Sequence, residues 1–172
     1  AGVCVGSLKV CLGVDGWEEP DYTLIEKFEV GEEVTCDDLD NDCDGDTDEP
    51  YAEGGTITYT DPSGAIGLVK GAPCGVGACV GGDVVCAEDG QSLSCSTGDL
   101  RVVEICDGID NDCDGEVDED LTPHLGDRQD GVCMGSVRTC QGTLGWVEPD
   151  YALIEGFELD EVSCDGLDND CD

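Results

Sequence analysis

Apolar residues along this chain fall in short runs broken by Gly, Pro and acidic residues, which predicts short β-hairpins and irregular loops with little helix. The opening GVCVGSLKVC (residues 2–11) sets two β-prone arms around Gly6-Ser7, with Cys4 and Cys11 on opposite arms, and reads as a hairpin. The next stretch, GVDGWEEPDYTLIEKFEV (13–30), carries Trp17, Tyr22, Leu24, Ile25 and Phe28. These are expected to form a small core over the disulfides; a carbohydrate platform at Trp17 and Tyr22 is the weaker reading. In GGTITYT (54–60), Thr56, Thr58 and Thr60 alternate with Ile57 and Tyr59, the period of a half-exposed strand, and DPSG (61–64) follows as a turn. Such a strand serves as an ordinary edge or pairs with another block or another molecule's sheet. Its threonine row also offers a site for O-linked sugar.

The polar positions are more regular than the apolar ones. CDGIDNDCDGEVDE (106–119) occurs almost whole as CDDLDNDCDGDTDE (36–49), and CDGLDNDCD (164–172) is a third copy cut off at Asp172. Acidic side chains stand at every second residue, so no core-facing strand or helix accounts for them. A solvated acidic turn would, since charge runs usually are that. Fixed spacing, a Gly at the turn and three copies point instead to a hard cation, and calcium takes roughly six to eight oxygen ligands from loops of this kind. Counting from Asp110 gives Asp112, Asp114 and Gly115 at the third, fifth and sixth positions of an EF-hand-like loop, then Glu116, Asp118 and Glu119. The first copy offers Asp40, Asp42, Asp44, Asp46, Asp48 and Glu49 around Gly45, and the third offers Asp168, Asp170 and Asp172. The twelfth position, a Glu in a true EF-hand, holds Leu121 or Tyr51. The closing ligand must come from Asp118 or Glu119, from the Asp after each first cysteine (Asp37, Asp107, Asp165), or from elsewhere. Zinc and copper are the rival metals. Cys43 or Cys113 could supply a thiolate, but a single His and the oxygen-rich setting argue for calcium, with copper second.

Composition tightens this picture. The 172 residues include 14 Cys and 26 Gly, and 43 acidic against 6 basic residues give a net charge of -37. Only eight residues are aromatic, so small units stapled by disulfides and metal are expected in place of one large core, outside a reducing compartment. Self-repulsion at this charge opposes compaction, and three divalent ions would offset roughly six charges at the most crowded places. Six scattered Lys and Arg exclude a phosphate-binding face, hence nucleic acid. No run approaches the roughly 18 apolar residues of a membrane span. Without a signal peptide at Ala1, the chain reads as mature or excerpted material.

Three blocks follow from the repeats. Residues 1–50 form a four-Cys block with its loop (Cys4, Cys11, Cys36, Cys43), and 51–73 a linker with one strand. Residues 74–120 form a six-Cys block (Cys74, Cys79, Cys86, Cys95, Cys106, Cys113), 121–130 a linker, and 131–172 a four-Cys block (Cys133, Cys140, Cys164, Cys171). Aligning 2–44 with 131–172 gives 28 identities in 42 positions, a period of about 129 residues. All fourteen cysteines are expected in disulfides. Cys74 and Cys95 are absent together from the four-Cys blocks, which makes them partners. The other four of the six-Cys block allow local pairing (Cys79–Cys86, Cys106–Cys113), which is preferred, or crossed pairing that ties hairpin to loop. Tandem blocks lean on neighbours and build extended arrays, so the chain is expected to be a window on a longer protein.

The string C-D-G-x-D-N-D-C-D-G-x-x-D-E, with GVGACVGGDVVC ahead of one copy, resembles the MopE-type metal-binding repeat of secreted bacterial surface proteins. Its acidic core is also similar to the excalibur and thrombospondin type 3 calcium loops, although Asp48 and Asp118 stand where the excalibur loop has Cys. The resemblance implies an extracellular, metal-binding, repeat-built protein and no enzyme; the copper in the family name is not supported by the oxygen-rich ligands. His124 lies in a polar linker without a nucleophile, so catalysis is not expected. The leading expectation is a structural protein, a calcium- and disulfide-stabilised filament, stalk or surface fibre whose partners are its own copies or neighbouring repeats. The alternative is a metal-binding or adhesive module of a larger surface protein.

Overall fold

The computed structural model describes residues 2–172. Among them are 3-10 turns, short antiparallel strand pairs and loops, with no α-helix. The chain divides into two compact units, Ala1–Leu100 and Arg101–Asp172, so residues 74–120 contribute to both.

In the first unit β1 (Val10–Cys11) pairs antiparallel with β2 (Trp17–Glu18), Cys11 opposite Trp17. The hairpin therefore runs forward from Cys11, not back to Cys4 as Gly6-Ser7 suggested. The cause is local: Gly13 and Gly16 take positive φ, and Leu12 donates its N–H to Gly16 O at 2.7 Å to close the turn. Residues Gly2–Cys4 form a 3-10 turn instead, clasped by the acidic loop through Val3 N–H to Asp40 O at 3.0 Å. A side chain at position 2 would overlap that carbonyl, because a Cβ on Gly2 falls 1.9 Å from it.

A three-stranded sheet, β3 (Pro73–Cys74), β4 (Gly82–Cys86) and β5 (Leu93–Cys95) in that order, carries the core of this unit. Cys36, Tyr51, Cys74, Val84, Leu93 and Cys95 are buried together, with Ile57, Tyr59, Leu68 and Ala72 packed on them. The threonine-rich segment makes only a single bridge, Tyr59 to Leu68, yet its alternation holds: Ile57 and Tyr59 turn to the core and the three threonines to solvent. The DPSG turn closes with Gly64 N–H to Asp61 O at 2.9 Å. The aromatic cluster expected around Trp17 does not form. Trp17 is 70% exposed and Leu24 82%, and Tyr22 meets one aromatic ring, Phe28, centroids 5.7 Å apart, while its hydroxyl donates to Glu19 Oε2 at 2.9 Å. A two-residue-per-strand hairpin offers no face wide enough to bury them, whereas Tyr51 lies against a three-stranded sheet.

The second unit repeats the hairpin as β6 (Thr139–Cys140) and β7 (Trp146–Val147), Cys140 opposite Trp146. Here residues 124–129 pack onto it. Leu125 bridges Val137, and Arg128 lies 5.6 Å from the Tyr151 ring and 5.7 Å from that of Phe157 while donating to Asp170 O at 2.7 Å. His124 stacks on Trp146 at 4.7 Å, so it is a packing residue and not merely a solvated one.

Disulfides bond Cys4–Cys43, Cys36–Cys86, Cys74–Cys95, Cys106–Cys140 and Cys133–Cys171, and Cys79 and Cys113 are bonded as well. Cys74–Cys95 is the pair expected from their joint absence elsewhere. The local pairing preferred for the rest is corrected: Cys86 takes Cys36 and Cys106 takes Cys140. In the first loop both sulfurs go to hairpin cysteines, Cys43 to Cys4 and Cys36 to Cys86. Cys11 and Cys164 are free and exposed, so the expectation of fourteen bonded cysteines is met by twelve.

Tyr51 is fully buried and donates its hydroxyl to Val34 O at 2.8 Å. Tyr51→Phe is expected to lower stability by about 1 kcal/mol, leaving that carbonyl unpaired. Tyr51→Ala is expected to cost about 3–5 kcal/mol, as truncating a buried ring does. Urea unfolding of the oxidised protein measures both.

Candidate metal centre

Each acidic loop is folded by carboxylates that accept backbone N–H groups. The turn glycines sit as the spacing required, Gly45 at φ 112° and Gly115 at φ 99°, a region that side chains resist. Asp44 and Asp114 accept the N–H of Asp46 and Glu116 at 3.0 and 2.9 Å, holding the bend, while the side chains of Asp46 and Glu116 are exposed. Asp110 spans the second loop, accepting from Asp114 N and Gly115 N at 3.1 and 3.0 Å. Asp37, Asp107 and Asp165, considered above as closing ligands, cap their own turns by accepting Leu39, Ile109 and Leu167 N–H on one oxygen each.

Asp48 is held by the chain through both oxygens and Asp118 through Oδ1. Asp48 is fully buried and accepts from Asp37 N at 3.0 Å, Asp38 N at 3.2 Å and the Lys70 ammonium. Asp118 accepts from Asp107 N and Gly108 N at 2.9 and 3.0 Å. Both carboxylates tie the end of the loop to its beginning.

One glutamate upstream of each loop was not singled out from the sequence. Glu33 accepts Asn41 N at 2.7 Å and Asp48 N at 2.5 Å. Glu104 accepts Asn111 N at 2.5 Å, Asp112 N at 2.8 Å and Asp118 N at 3.1 Å, and Glu161 accepts Asn169 N at 2.8 Å. The legible signal was a Glu two or three residues before the first loop cysteine in every copy.

These glutamates bring the remaining acids together. Single oxygens of Glu104, Asp112 and Glu119 lie within 4.8 Å of one another, and so do those of Asp40, Asp42 and Asp44. In the first loop Glu33, Asp42, Asp44 and Glu49 line one open cleft of about 340 Å³. Burial, then the charges of Asp114 and Glu104, raise Asp112 above the ordinary carboxylate value. Burial followed by the same kind of crowding raises Asp42 and Glu119. Burial and a hydrogen bond to the Glu49 carboxyl push Glu33 up to about 7.

The fit to a cation rests on oxygens without partners. Asp112 Oδ1, both oxygens of Glu119, Glu49 Oε2 and both oxygens of Asp40 are buried and accept no hydrogen bond. Buried carboxylate oxygens are costly unless a donor or metal meets them. The donor set is all oxygen. Cys43 and Cys113 are oxidised in disulfides, as are the cysteines beside Asp48, Asp61 and Asp118, so no thiolate is offered at these positions. A hard cation would be held by Asp42, Asp44, Glu49 and Glu33 or Asp40 in the first loop, and by Glu104, Asp112 and Glu119 with Asp114 in the second. In the third, Asp168 accepts Cys171 N at 2.8 Å, Asp170 accepts Glu161 N at 3.3 Å, and Asp172 is exposed.

A family model described as "Putative metal-binding motif" (Cu-binding MopE) matches residues 30–49, 102–119 and 159–172. Three segments of the chain thus match the MopE-type motif. Each matched segment starts upstream of the first loop cysteine and takes in Glu33, Glu104 or Glu161, the residues that order the MopE-type loops here. Neither a curated protein nor a solved structure matches the chain.

The shift at Glu33 fixes the sign of a pH effect. Its folded-state value of about 7 lies above the ordinary 4.5, so the folded metal-free protein holds a proton that the unfolded chain has released. That stability is full below about 4.5 and is lost as pH rises through about 7. In chelator, the melting temperature is expected to fall between pH 5 and pH 8, and Glu33→Gln to flatten part of that fall. A melting temperature independent of pH would contradict the buried, crowded carboxyl.

Proposed function

We propose that this chain is a non-catalytic structural module in which calcium and disulfides together hold small acidic blocks rigid within an extracellular filament, stalk or surface fibre. The observation that carries the metal reading is the group of buried oxygens without donors at Asp112 and Glu119, gathered beside Glu104. Calcium accepts carboxylate oxygens in loops of loose geometry, while copper and zinc favour nitrogen and sulfur donors that these loops lack. Bound calcium supplies positive charge where a chain of net charge -37 is most crowded. Its binding energy then becomes folding energy, since the unfolded loop does not hold the ligands together. Disulfides persist in oxidising surroundings, which favours a place outside the reducing cytosol. No helix among the described residues is long and apolar enough to cross a membrane. The support for a fibre is the repeated acidic loop and the disulfides that join a loop of one sequence block to the hairpin of the next.

An adhesive or metal-binding module of a larger surface protein is the second reading, favoured by the exposure of Trp17. Calorimetric titration of the chelator-treated protein with Ca²⁺ and with Cu²⁺ tests the metal. Tighter uptake of calcium, abolished by the pair Asp112→Asn and Glu119→Gln in the second loop alone, is expected. Preference for copper, or uptake unchanged by those substitutions, would overturn it. Electron microscopy of native material before and after chelation tests the fibre: filaments that soften or disperse are expected, and their absence would favour the adhesive module.

A further inference from the structure

The disulfides obey a rule with two unfilled places. Within a block, the first hairpin cysteine bonds the second loop cysteine: Cys4–Cys43 and Cys133–Cys171. Between blocks, the first loop cysteine bonds the second hairpin cysteine of the block that follows: Cys36–Cys86 and Cys106–Cys140. In the repeat alignment Cys11 stands at the position of Cys86 and Cys140, the second hairpin cysteine, and Cys164 at the position of Cys36 and Cys106, the first loop cysteine. They are the two free cysteines of the described residues, both exposed.

The surfaces around them are open where their equivalents are covered. A Cβ on Gly108, two residues after Cys106, would meet Thr143 N at 2.8 Å in the hairpin it is bonded to. A Cβ on Gly166, two residues after Cys164, meets nothing within 4 Å. On the other half, Gly142 lies against Gly108 and Asp118, and Gly145 against Cys106 O, whereas Gly13 and Gly16 contact nothing. Trp17 is exposed where Trp146 is covered by His124. The seat that Gly126, Arg128 and Gln129 occupy against Ser136, Tyr151 and Phe157 corresponds to a cleft of about 330 Å³ lined by Ser7, Tyr22 and Phe28.

We infer that Cys164 and Cys11 are the two halves of an inter-block disulfide, and that each is completed by another block of this same motif. Cys164 takes the second hairpin cysteine of a following block, and Cys11 takes the first loop cysteine of a preceding one. The block is supplied by a second copy of the chain or by further blocks of a longer polypeptide; the chemistry is the same. Forming the bond removes two electrons and two protons from two thiols. A small-molecule disulfide such as glutathione disulfide accepts both and leaves as two thiols. The inference rests on reading the chain as one stretch of a block array and does not require the metal to be calcium.

The test uses the chain itself as the partner. Cys11→Ser retains only Cys164 and Cys164→Ser retains only Cys11. Each is incubated alone, and then the two together, in a glutathione redox buffer with Ca²⁺, and read on non-reducing gels and by peptide mass spectrometry. A covalent dimer confined to the mixture, with a Cys164–Cys11 peptide, is expected, and the wild-type chain should form a ladder that collapses on reduction. Dimers of either variant alone to the same extent, or only glutathione-capped monomers, would overturn the inference. In native material, a ladder identifies second copies, the same bond inside one polypeptide identifies further blocks, and free thiols at both positions overturn the proposal. Calcium titration of the same samples reads the metal separately, so failure of the joint and failure of the metal reading are distinguishable.

Discussion

Everything in this molecule answers to the cost of placing carboxylates close together with too little apolar surface to compensate. The chain has 43 acidic residues and only eight aromatic ones, and the apolar cluster buried among the described residues is a handful of side chains around Tyr51, Val84 and Leu93. Charge crowding of this kind normally expands a chain. Here many of the acids are consumed by backbone N–H groups: Asp48, Asp118, Glu33 and Glu104 each accept two or more. Those bonds fold the loops and, in doing so, press the remaining oxygens of Asp40, Glu49, Asp112 and Glu119 into positions without donors. The same folding step that satisfies one set of carboxylates creates the demand for a cation at the other.

The disulfides solve a different part of the problem. A core this small contributes little, and each crosslink limits the unfolded ensemble in its place, by about 2–4 kcal/mol. Cys36–Cys86 closes a separation of 50 residues and Cys106–Cys140 one of 34, so the bonds act between sequence blocks and not within a hairpin. Their placement beside Asp48 and Asp118 couples the two devices. Asp48 accepts from the residues directly after Cys36, and Asp118 from those after Cys106. A metal that steadies the loop would steady the segment that carries the crosslinked cysteine.

The acidic loops were legible because their spacing is a short-range code: alternate acids, a Gly at the bend and the same order in three copies. The turn glycines could be read for that reason, and the Cys74–Cys95 pair from its joint absence from the four-Cys blocks. What was not legible depends on contacts distant in sequence. Glu33 and Glu104 lie outside the acidic run, and only the fold brings them onto Asn41 and Asn111. Asp48 and Asp118 look like ligands in the string, and in the fold they also accept backbone N–H groups that no local pattern foretells. The hairpin shifted forward because Gly13 and Gly16 take positive φ and Leu12 N–H closes onto Gly16 O, and the aromatic residues beside it found no second layer. Cysteine pairing across blocks has no local signature at all.

The central claim is that a bound cation completes the second loop through Glu104, Asp112 and Glu119. Amide hydrogen exchange of residues 104–119, with and without calcium, tests it most directly. The account predicts that Asp112, Asp114 and Asp118 N–H become strongly protected on adding calcium and exchange rapidly in chelator, while Val84 in the sheet changes little. Equal protection of the loop in both conditions would show that its own hydrogen bonds suffice and would contradict the metal's part in the fold.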